Sequence, residues 1–470
     1  MSTISDNVEL AMRLPLPPST SSVRLGSVSF DEGSLSSQPS RNETSLAPVD
    51  GGFGAWSFLV GAFLVETIVW GFPNTFGVFL QAYLEDPKIL SQPHASSILP
   101  LVGTLSSGII YCSGPVIYPF TSRFPYHRRT AMSIGTLLCW ASLFGASYAT
   151  TVIELVCLQG VLYALGGSLL YAPTISYMSE WFVKRRGLAN GIIFAGTAIG
   201  GLLLPLIMPQ LIRAHGTPLT LRYLSFAVVG ALLPTLSFVR PRLPEHRVHG
   251  PGRRIDDYAW ARNWNWWVLV VANTVQGFAY FLPIVWLPTY ASAINRGSST
   301  SALSVALLNG ASVFGRIALG SLSDHLSPWF LALSTLLTTS LVTFVFWGLA
   351  GHETTGILAF GVLYGLLAGG WSSLWTGFVR PIAKDDPTLS TSLYGFLMLS
   401  RGVGNVLSTP ISTALSAPPS GVIAHEKTGF DVANGRFEKM IIYVGTCFAG
   451  ATVVAMVGWG GERVISRRTR

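Results

Sequence analysis

Two long apolar runs meet at the stretch Glu180-Trp181-Phe182-Val183-Lys184-Arg185-Arg186-Gly187-Leu188-Ala189-Asn190-Gly191. Because the runs on both sides belong in hydrocarbon, the three adjacent cations between them must lie in water or among lipid headgroups. An excess of Lys and Arg marks the cytoplasmic face of a membrane protein. The stretch therefore predicts a cytoplasmic hairpin that joins two membrane-spanning helices.

The composition also indicates a membrane protein. The chain has 470 residues, of which 50% are hydrophobic and 11% are charged, whereas soluble proteins have about 25% charged residues. The net charge of +8 comes from short basic clusters between apolar runs, which favours cytoplasmic anchoring over nucleic-acid binding. The four cysteines lie inside apolar runs and have no disulfide or metal-binding spacing. No metal or cofactor is expected.

Twelve apolar runs approach the length of about 20 residues that a helix needs to cross a bilayer. They are 55–80, 96–120, 130–149, 152–177, 187–212, 221–239, 264–290, 301–323, 328–350, 355–379, 389–415 and 439–460. The loops and tails assigned to the cytoplasmic side contain 21 Lys and Arg residues, and the loops on the other side contain seven. This asymmetry predicts an all-α polytopic membrane protein with twelve transmembrane helices in two six-helix bundles and both termini in the cytoplasm.

The predicted domain organisation follows from changes in composition along the chain. The first segment is rich in Ser and Pro, and we expect it to be disordered, with regulation through phosphorylation as the alternative. The segments are a cytoplasmic tail (1–49), an N-terminal bundle (50–239), a basic linker (240–262), a C-terminal bundle (263–460) and a short basic tail (461–470).

Three motifs stand at the ends of predicted helices. The first is Asp50-Gly51-Gly52-Phe53-Gly54, directly before the first helix. The second combines Tyr171-Ala172-Pro173 with the stretch from Trp181 to Gly191. The third is Gly114-Pro115-Val116 followed by Ser122-Arg123-Phe124. Together they resemble the motifs of the monocarboxylate transporter family within the major facilitator superfamily, and of its fungal members in particular. The resemblance implies a major facilitator fold that alternates access to a central cavity, often with proton coupling.

Three ionisable residues fall inside predicted spanning helices, where a charge is costly unless it is paired or hydrated. Glu66 in helix one is the candidate proton-coupling group, with a hydrogen-bonded structural glutamate as the alternative. Arg316 in helix eight lies where the resembled family has an arginine that is assigned to the substrate carboxylate; the alternative is an ion pair with Asp324. Arg401 in helix eleven is a candidate second anion contact, or a partner of Glu66 when the cavity closes.

Two departures from the family bear on the substrate. Asn74 follows Phe72-Pro73 where the family typically has Lys, and Ser312 stands where it has Asp, one turn before Arg316. Both side chains can hydrogen-bond a solute, but neither exchanges a proton near neutral pH. They are therefore candidate substrate-binding residues for a larger and less charged metabolite.

Further candidates line the predicted cavity and its cytoplasmic entrance. Tyr171 is a candidate for stacking on a cyclic solute, although such aromatic residues more often pack against other helices or anchor at the interface. Asp324 resembles the acidic loop residue of the superfamily's gating motif, where it would cap or lock the cytoplasmic ends of helices. The cations expected at the gate are Arg123, Lys184, Arg185 and Arg186.

The sequence therefore predicts a secondary transporter, and more specifically an exporter of a fungal secondary metabolite. The alternatives are proton-coupled uptake of a monocarboxylate or a vitamin such as riboflavin and, more remotely, a nutrient-sensing receptor. No GxxxxGK[ST], nucleophile-elbow or HExxH motif indicates an enzyme. The expected partners are a small, carboxylated or cyclic substrate and membrane lipid, without nucleic acid, and a monomer should suffice. We expect the plasma membrane, with the vacuolar membrane as the alternative.

Overall fold

The computed structural model describes residues 46–243, 258–294, 298–384, 386–416 and 427–468, and all regular structure in these ranges is helical. Most of the predicted N-terminal tail (1–45), much of the predicted linker (244–257) and the last two residues lie outside the described residues. The predicted domain boundaries stay a prediction.

The first three crossings begin with one long helix and continue with a broken one. The helices are α1 (Gly52–Glu85), a short α2 (Pro87–Leu90), α3 (Ala95–Cys112), α4 (Gly114–Arg123) and α5 (Arg128–Ala146). The predicted second run, 96–120, is divided between α3 and α4 at Ser113. Pro115 lacks the backbone N–H of a regular helix, and its ring crowds the preceding turn, which accounts for the break.

The fourth crossing joins three helical pieces, α6 (Val152–Leu155), a π-helical segment (Val156–Leu162) and α7 (Tyr163–Trp181). Its start is fixed by a capping box. The Thr151 hydroxyl accepts the Glu154 N–H at 3.3 Å, and the Glu154 carboxylate accepts the Thr151 N–H at 3.1 Å. These two bonds satisfy N–H groups that a helix leaves open at its first turn.

The fifth and sixth crossings form one helical stretch, α8 (Arg186–Leu236). At 1.5 Å per residue a straight helix of this length would measure about 76 Å, more than twice the hydrocarbon thickness. The stretch is broken at Gly216, which has φ 77° and ψ 163°. Glycine tolerates this positive φ because it has no Cβ, so the chain can turn here and cross the membrane again.

The second half of the chain repeats the pattern of long, broken helices. Its elements are α9 (Trp264–Ile294), α10 (Ser298–Ser323), α11 (Pro328–Val342) with a π-helical segment (Thr343–Leu349), α12 (Thr354–Ala368), α13 (Trp375–Ala383), α14 (Pro387–Leu415), a short turn α15 (Val432–Gly435) and α16 (Glu438–Arg468). α12 and α13 are joined through a 3₁₀ turn (Trp371–Leu374) into one crossing.

Nine helical segments in the described ranges have the length and apolar composition of a membrane crossing. One of them, α8, spans two crossings. Two further helices, α5 and α14, have 19 and 29 residues and contain more Ser, Thr and Arg. Together these segments make twelve crossings, in the order predicted from the apolar runs.

Facing glycines allow the two halves to approach closely. Gly114 and Gly395 face each other where α4 meets α14, and a Cβ on Gly114 would lie 2.6 Å from the Gly395 carbonyl oxygen. Gly187 and Gly320 face each other in the same way where α8 meets α10. Small residues allow backbones in a membrane to pack this closely. Both contacts lie toward the face where residues 182–185 join α7 to α8, which we name the hairpin face.

Candidate functional site

Glu66 lies in α1 and is only 1% exposed. Its Oε1 accepts a 2.6 Å hydrogen bond from the Thr197 hydroxyl on α8. Its Oε2 is buried and has no hydrogen-bond donor among the residues that the structure describes. A buried carboxylate with one open oxygen can take up a proton there, which supports the proton-coupling role. The bond from Thr197 equally fits a hydrogen-bonded structural glutamate.

Arg316 lies in α10, 7% exposed, and reaches across to the first half of the chain. It donates from Nη1 to the Phe194 carbonyl at 2.5 Å, from Nε to the Ser312 hydroxyl at 3.0 Å and from Nη2 to the Tyr280 hydroxyl at 3.4 Å. Within the described ranges Arg316 forms no ion pair, so the alternative of a pair with Asp324 is not found. A permanent cation therefore lies among neutral partners.

One turn of α8 connects the candidate residues of both halves. The Phe194 carbonyl accepts the bond from Arg316, and the Thr197 hydroxyl donates to Glu66. The Thr197 carbonyl accepts a 3.3 Å bond from the Asn74 amide. Glu66 also lies within electrostatic reach of Arg316. A shift of this turn would therefore alter the surroundings of the carboxylate, the amide and the guanidinium together.

Arg401 lies in α14 and is 2% exposed. Its Nη1 donates to the Gln276 Oε1 at 2.7 Å, and its guanidinium lies 4.2 Å from the ring centre of Tyr280 and 5.6 Å from that of Phe281. The alternative partner, Glu66, makes no ion pair in the described part of the chain. Arg401 is thus held by α9 through an amide and two aromatic rings.

Tyr280 links the two arginines, because its hydroxyl receives Arg316 and its ring faces Arg401. Tyr111 lies beside Arg401 from the first half of the chain. We name these five side chains the two-arginine cluster: Tyr111, Gln276, Tyr280, Arg316 and Arg401. The cluster draws on α3, α9, α10 and α14 and places two cations near one tyrosine.

Tyr171, predicted to stack on a solute, is buried among other rings. Its ring centre lies 6.1 Å from Trp70, 6.4 Å from Tyr118 and 6.5 Å from Phe194. Trp70 in turn lies 4.6 Å from Tyr111. The aromatic side chains therefore form a wall that runs from the surroundings of Glu66 to the two-arginine cluster.

Several neutral polar residues at this site were not found from the sequence. Gln276 and Tyr280 stand four residues apart on α9, and Asn309 on α10 donates to the Gly201 carbonyl at 3.0 Å. Asn74 also approaches Gly201, so amides from both halves meet at this glycine. The sequence did contain a signal for the pair on α9, because Gln276 and Tyr280 are polar side chains one helical turn apart inside an apolar run.

Asp324 directly follows α10 and contacts the start of α8 in the other half. Its two oxygens accept the Gly187 N–H at 2.7 Å and the Leu188 N–H at 2.9 Å. Burial raises the pKa of Asp324 above its usual value, against the opposing effect of these two N–H donors. Asp324 thus caps a helix N-terminus across the interface, as expected of a gating residue, although its role in gating stays a prediction.

Asp50 binds the same hairpin from its own half. Its carboxylate accepts the backbone N–H groups of Val183 at 3.0 Å, Lys184 at 3.0 Å and Arg185 at 2.9 Å. Burial acts to raise the pKa of Asp50, but the three N–H donors outweigh it, and the pKa lies below its usual value. The acidic residue of the first motif is therefore a hairpin anchor, a role that the sequence did not reveal.

The cations predicted at the gate differ in exposure. Arg123, Lys184 and Arg185 are exposed on the hairpin face, and their role there stays a prediction. Arg186 is buried and donates from Nε to the Phe182 carbonyl at 3.1 Å. This bond joins the start of α8 to the residue that follows α7.

A buried ion pair on the hairpin face was also missed. Arg128 at the start of α5 contacts Glu180 near the end of α7, with Nη1 2.9 Å from Oε1. The other Glu180 oxygen accepts the N–H groups of Arg242 at 3.1 Å and Leu243 at 3.3 Å. The pair therefore ties the chain that leaves the sixth crossing to the first bundle.

The family model of the Major Facilitator Superfamily matches residues 51–409, and the chain belongs to this superfamily. The Fujikurins efflux protein of Gibberella fujikuroi is 26% identical over 416 residues, which cover 87% of this chain and 83% of that protein. Monocarboxylate transporter 10 of Rattus norvegicus is 26% identical over 481 residues, covering 97% and 88%. Among solved structures, the major facilitator transporter FucP in the outward conformation aligns with a TM-score of 0.60 at 12% identity, covering 86% of this chain and 99% of that chain.

These similarities decide several predictions. The predicted fungal-type member of the major facilitator superfamily is confirmed, as is the all-α fold with twelve transmembrane helices in two bundles. The protein is an integral, multi-pass membrane protein of a transporter superfamily, whose members move small molecules.

Proposed function

We propose that this protein is a secondary transporter that exports a small organic metabolite by alternating access. The observation that supports it most is the buried two-arginine cluster, which joins side chains of both halves beside one buried carboxylate. Buried charges without ion pairs are expensive in a membrane and mark substrate pathways. The export direction is supported by the efflux function named for the Gibberella fujikuroi relative.

Each candidate residue has a proposed role. Arg316 and Arg401 attract the substrate, while Asn74 and Ser312 add hydrogen bonds and Tyr171 supports the aromatic wall. Ser312 also positions Arg316, since its hydroxyl accepts the bond from Nε. Glu66 carries the coupling proton.

The gate lies on the hairpin face, which we assign to the cytoplasm. There α7 packs on α14 and α8 packs on α13, so the two halves are in contact on this side. Asp324, Arg123, Lys184, Arg185 and Arg186 belong to this gate. For the cytoplasm to gain access to the centre, Asp324 must release the start of α8. This is the latch that alternating access requires.

Metabolite partitioning tests the export proposal. In the producing cell, deletion of the gene should raise the intracellular amount of one metabolite and lower its amount in the medium. Reintroduced wild-type protein and the Arg222→Gln variant should both restore export, because Arg222 stacks on Tyr148 away from the site. Unchanged partitioning of every metabolite would refute export.

The Arg316→Lys variant tests the proposed anion contact in the same cells. Lysine keeps the charge but loses the planar fork that reaches Phe194, Ser312 and Tyr280 together. The apparent affinity for the exported metabolite should fall by about tenfold, the equivalent of one lost charge-assisted bond. Wild-type export by this variant would remove Arg316 from the site.

Uptake of a monocarboxylate or a vitamin such as riboflavin is the second candidate, favoured by the similarity to monocarboxylate transporter 10. Asn74 and Ser312 argue against it, because they replace the Lys and Asp typical of that family. Cells that overproduce the protein should show no faster entry of radiolabelled lactate or riboflavin than cells without it. Faster entry would favour uptake.

We place the protein in the plasma membrane, or alternatively the vacuolar membrane, with both termini in the cytoplasm and a monomer as the working unit in contact with lipid. The supporting observation is the Lys/Arg excess on the hairpin face. Split fluorescent-protein tags on each terminus should both report a cytoplasmic partner. A signal from only one terminus would contradict an even number of crossings.

A further inference from the structure

The two-arginine cluster holds more positive charge than its surroundings neutralise. Neither Arg316 nor Arg401 forms an ion pair with any described residue, and an arginine side chain stays protonated in a protein. The one buried carboxylate within electrostatic reach of Arg316 in the described part is Glu66, which is bonded to Thr197. The site is therefore cationic whether Glu66 is ionised or neutral.

Aromatic rings border this cluster. Arg401 lies 4.2 Å from the ring centre of Tyr280, and Tyr111 lies beside it from the other half. The ring centres of Tyr111 and Phe281 are 6.0 Å apart, and Trp70 lies 4.6 Å from Tyr111. A ligand that approaches the guanidinium groups must therefore lie against flat, apolar surfaces.

Two hydrogen-bond donors of this region have no acceptor among the described residues. The Arg401 guanidinium can only donate, so the Gln276 atom facing it is the amide oxygen, and the Nε2 donor remains open. Gln276 is 0% exposed, and the buried indole Nε1 of Trp70 is likewise without an acceptor. Open buried donors next to two cations favour a ligand with acceptor oxygens.

We propose that the exported substrate is a planar, conjugated organic anion, such as an aryl carboxylate or an enolate, that contacts both arginines and lies along the Tyr111 and Phe281 rings. This inference rests on the proposed function and names its substrate class. A cation would be repelled by the two arginines, and a neutral molecule would leave both charges uncompensated. A short aliphatic acid would satisfy the charge but not cover the rings.

Binding of matched probes to the purified full-length protein tests this class. Isothermal titration at one pH compares 2-naphthoate with 2-naphthamide, which has the same shape without the charge, and with cyclohexanecarboxylate, which has the charge without the aromatic rings. Naphthoate should bind roughly 10- to 100-fold more tightly than naphthamide, the range expected for hydrogen bonds to a charged group. It should also bind more tightly than cyclohexanecarboxylate by about threefold or more.

Variants locate the binding. In Arg401→Gln the ratio of the naphthoate affinity to the naphthamide affinity should fall by about tenfold. In Arg401→Lys, which keeps the charge, this ratio should fall less. Tyr280→Leu should weaken naphthoate binding by roughly 3- to 30-fold because the ring beneath the cation is lost. The matched control is Arg222→Gln, which also removes an arginine stacked on a tyrosine, 4.1 Å from Tyr148, but outside the cluster. Because each preference is a ratio measured on one sample, a partly unfolded variant does not disguise the result.

The outcomes separate the substrate class from the direction of transport. Equal binding of naphthoate and naphthamide, or naphthoate binding weaker than roughly millimolar, would overturn the anionic class. Equal binding of cyclohexanecarboxylate would overturn the requirement for a planar molecule, and a loss in Arg222→Gln as large as in Arg401→Gln would move the site elsewhere. If these preferences hold while gene deletion leaves metabolite partitioning unchanged, export is refuted and the binding class stands.

Discussion

Glu66 combines deep burial with one open carboxylate oxygen, the arrangement of a group that can exchange a proton. The Glu66→Gln variant should fold normally, because a glutamine oxygen can still accept the bond from the Thr197 hydroxyl. Its transport should no longer respond to a proton gradient, since the amide cannot ionise. Transport by membrane vesicles across a series of pH gradients measures this.

The matched control for this variant is Glu154→Gln, which changes a glutamate at the start of α6 that caps the Thr150 and Thr151 N–H groups. It should keep the pH response of the wild-type protein. A Glu66→Gln protein with an unchanged pH profile would place the coupling proton on another group.

Asp50 offers a second test, because its three N–H donors hold its pKa below the usual value of 3.8. A group with a lowered pKa in the folded state contributes stability above its usual pKa and loses it as the pH falls through the folded value. Asp50→Asn keeps an acceptor oxygen but loses the charge, so it should be less stable than wild type by about 1 kcal/mol at neutral pH, the difference between hydrogen bonds to a charged and to a neutral acceptor. The difference should disappear in acid below pH 3.8.

Thermal unfolding in detergent at a series of pH values measures this difference. Asp86→Asn serves as the control, because Asp86 caps the short helix α2 through a single N–H, that of Lys88. A difference between wild type and Asp50→Asn that stays constant down to strong acid would contradict the role of the carboxylate charge.

The packing of α8 on α10 depends on glycine on both helices. A Cβ on Gly320 would lie 3.0 Å from the Gly191 Cα and would overlap the Gly187 carbonyl. Gly320→Ala should therefore push the two helices apart at a cost of about 1–3 kcal/mol, as overpacking usually does. Gly310 stands on the same helix, and a Cβ there would have no described atom within 4 Å, so Gly310→Ala should be nearly neutral.

The melting temperatures of the two variants provide the comparison. Gly320→Ala should melt clearly below wild type, while Gly310→Ala should melt close to it or slightly above, since alanine favours the helix. Equal melting temperatures would show that α8 and α10 can separate here without cost, contrary to a tight contact between the halves.

Alternating access predicts that Asp324 biases the whole carrier toward closure on the hairpin face. Asp324→Asn should weaken this bias by about 1 kcal/mol, because asparagine has one acceptor oxygen and one of the two N–H groups at the start of α8 loses its partner. A shift of that size changes a two-state population about fivefold. The half-buried Cys112 lies at the contact between the halves, with its Sγ 3.1 Å from a Cβ position on Gly402. Its accessibility to a thiol reagent therefore reports separation of the two halves.

The rate of Cys112 alkylation, measured by mass spectrometry, should rise in Asp324→Asn. Cys139 is buried between α5 and α7 within one half, so its alkylation in the same sample should not change. A parallel rise at both cysteines would indicate general loosening, and no rise at Cys112 would exclude Asp324 as the latch.

The twelve crossings could be predicted because run length and loop charge are local properties of the chain. The candidates Glu66, Arg316 and Arg401 were found for the same reason, as charges stand out in apolar sequence. Gln276 and Tyr280 were not found, because neutral polar residues resemble ordinary helix packing. Their contacts with Arg401 and Arg316 join residues 125 and 36 positions apart, which no periodicity reveals.

The break between α3 and α4 is a feature of secondary structure that the sequence likewise did not predict. Pro115 was noted in a motif, but its effect on helix two follows only from the backbone on both sides of Ser113. Likewise Asp50 was assigned to a family motif, and its function as an anchor depends on N–H groups 133 to 135 residues away.

The anchoring of the hairpin by Asp50 has a practical consequence for shortening the chain. The Ala47 carbonyl accepts a 2.8 Å bond from Arg242, and the Asp50 N–H donates to the Trp181 carbonyl at 3.0 Å. A truncated protein that starts at Leu46 would retain all of these bonds. One that starts at the first helix would leave the hairpin amides without their acceptor, so the useful N-terminal boundary for expression lies several residues upstream of the membrane.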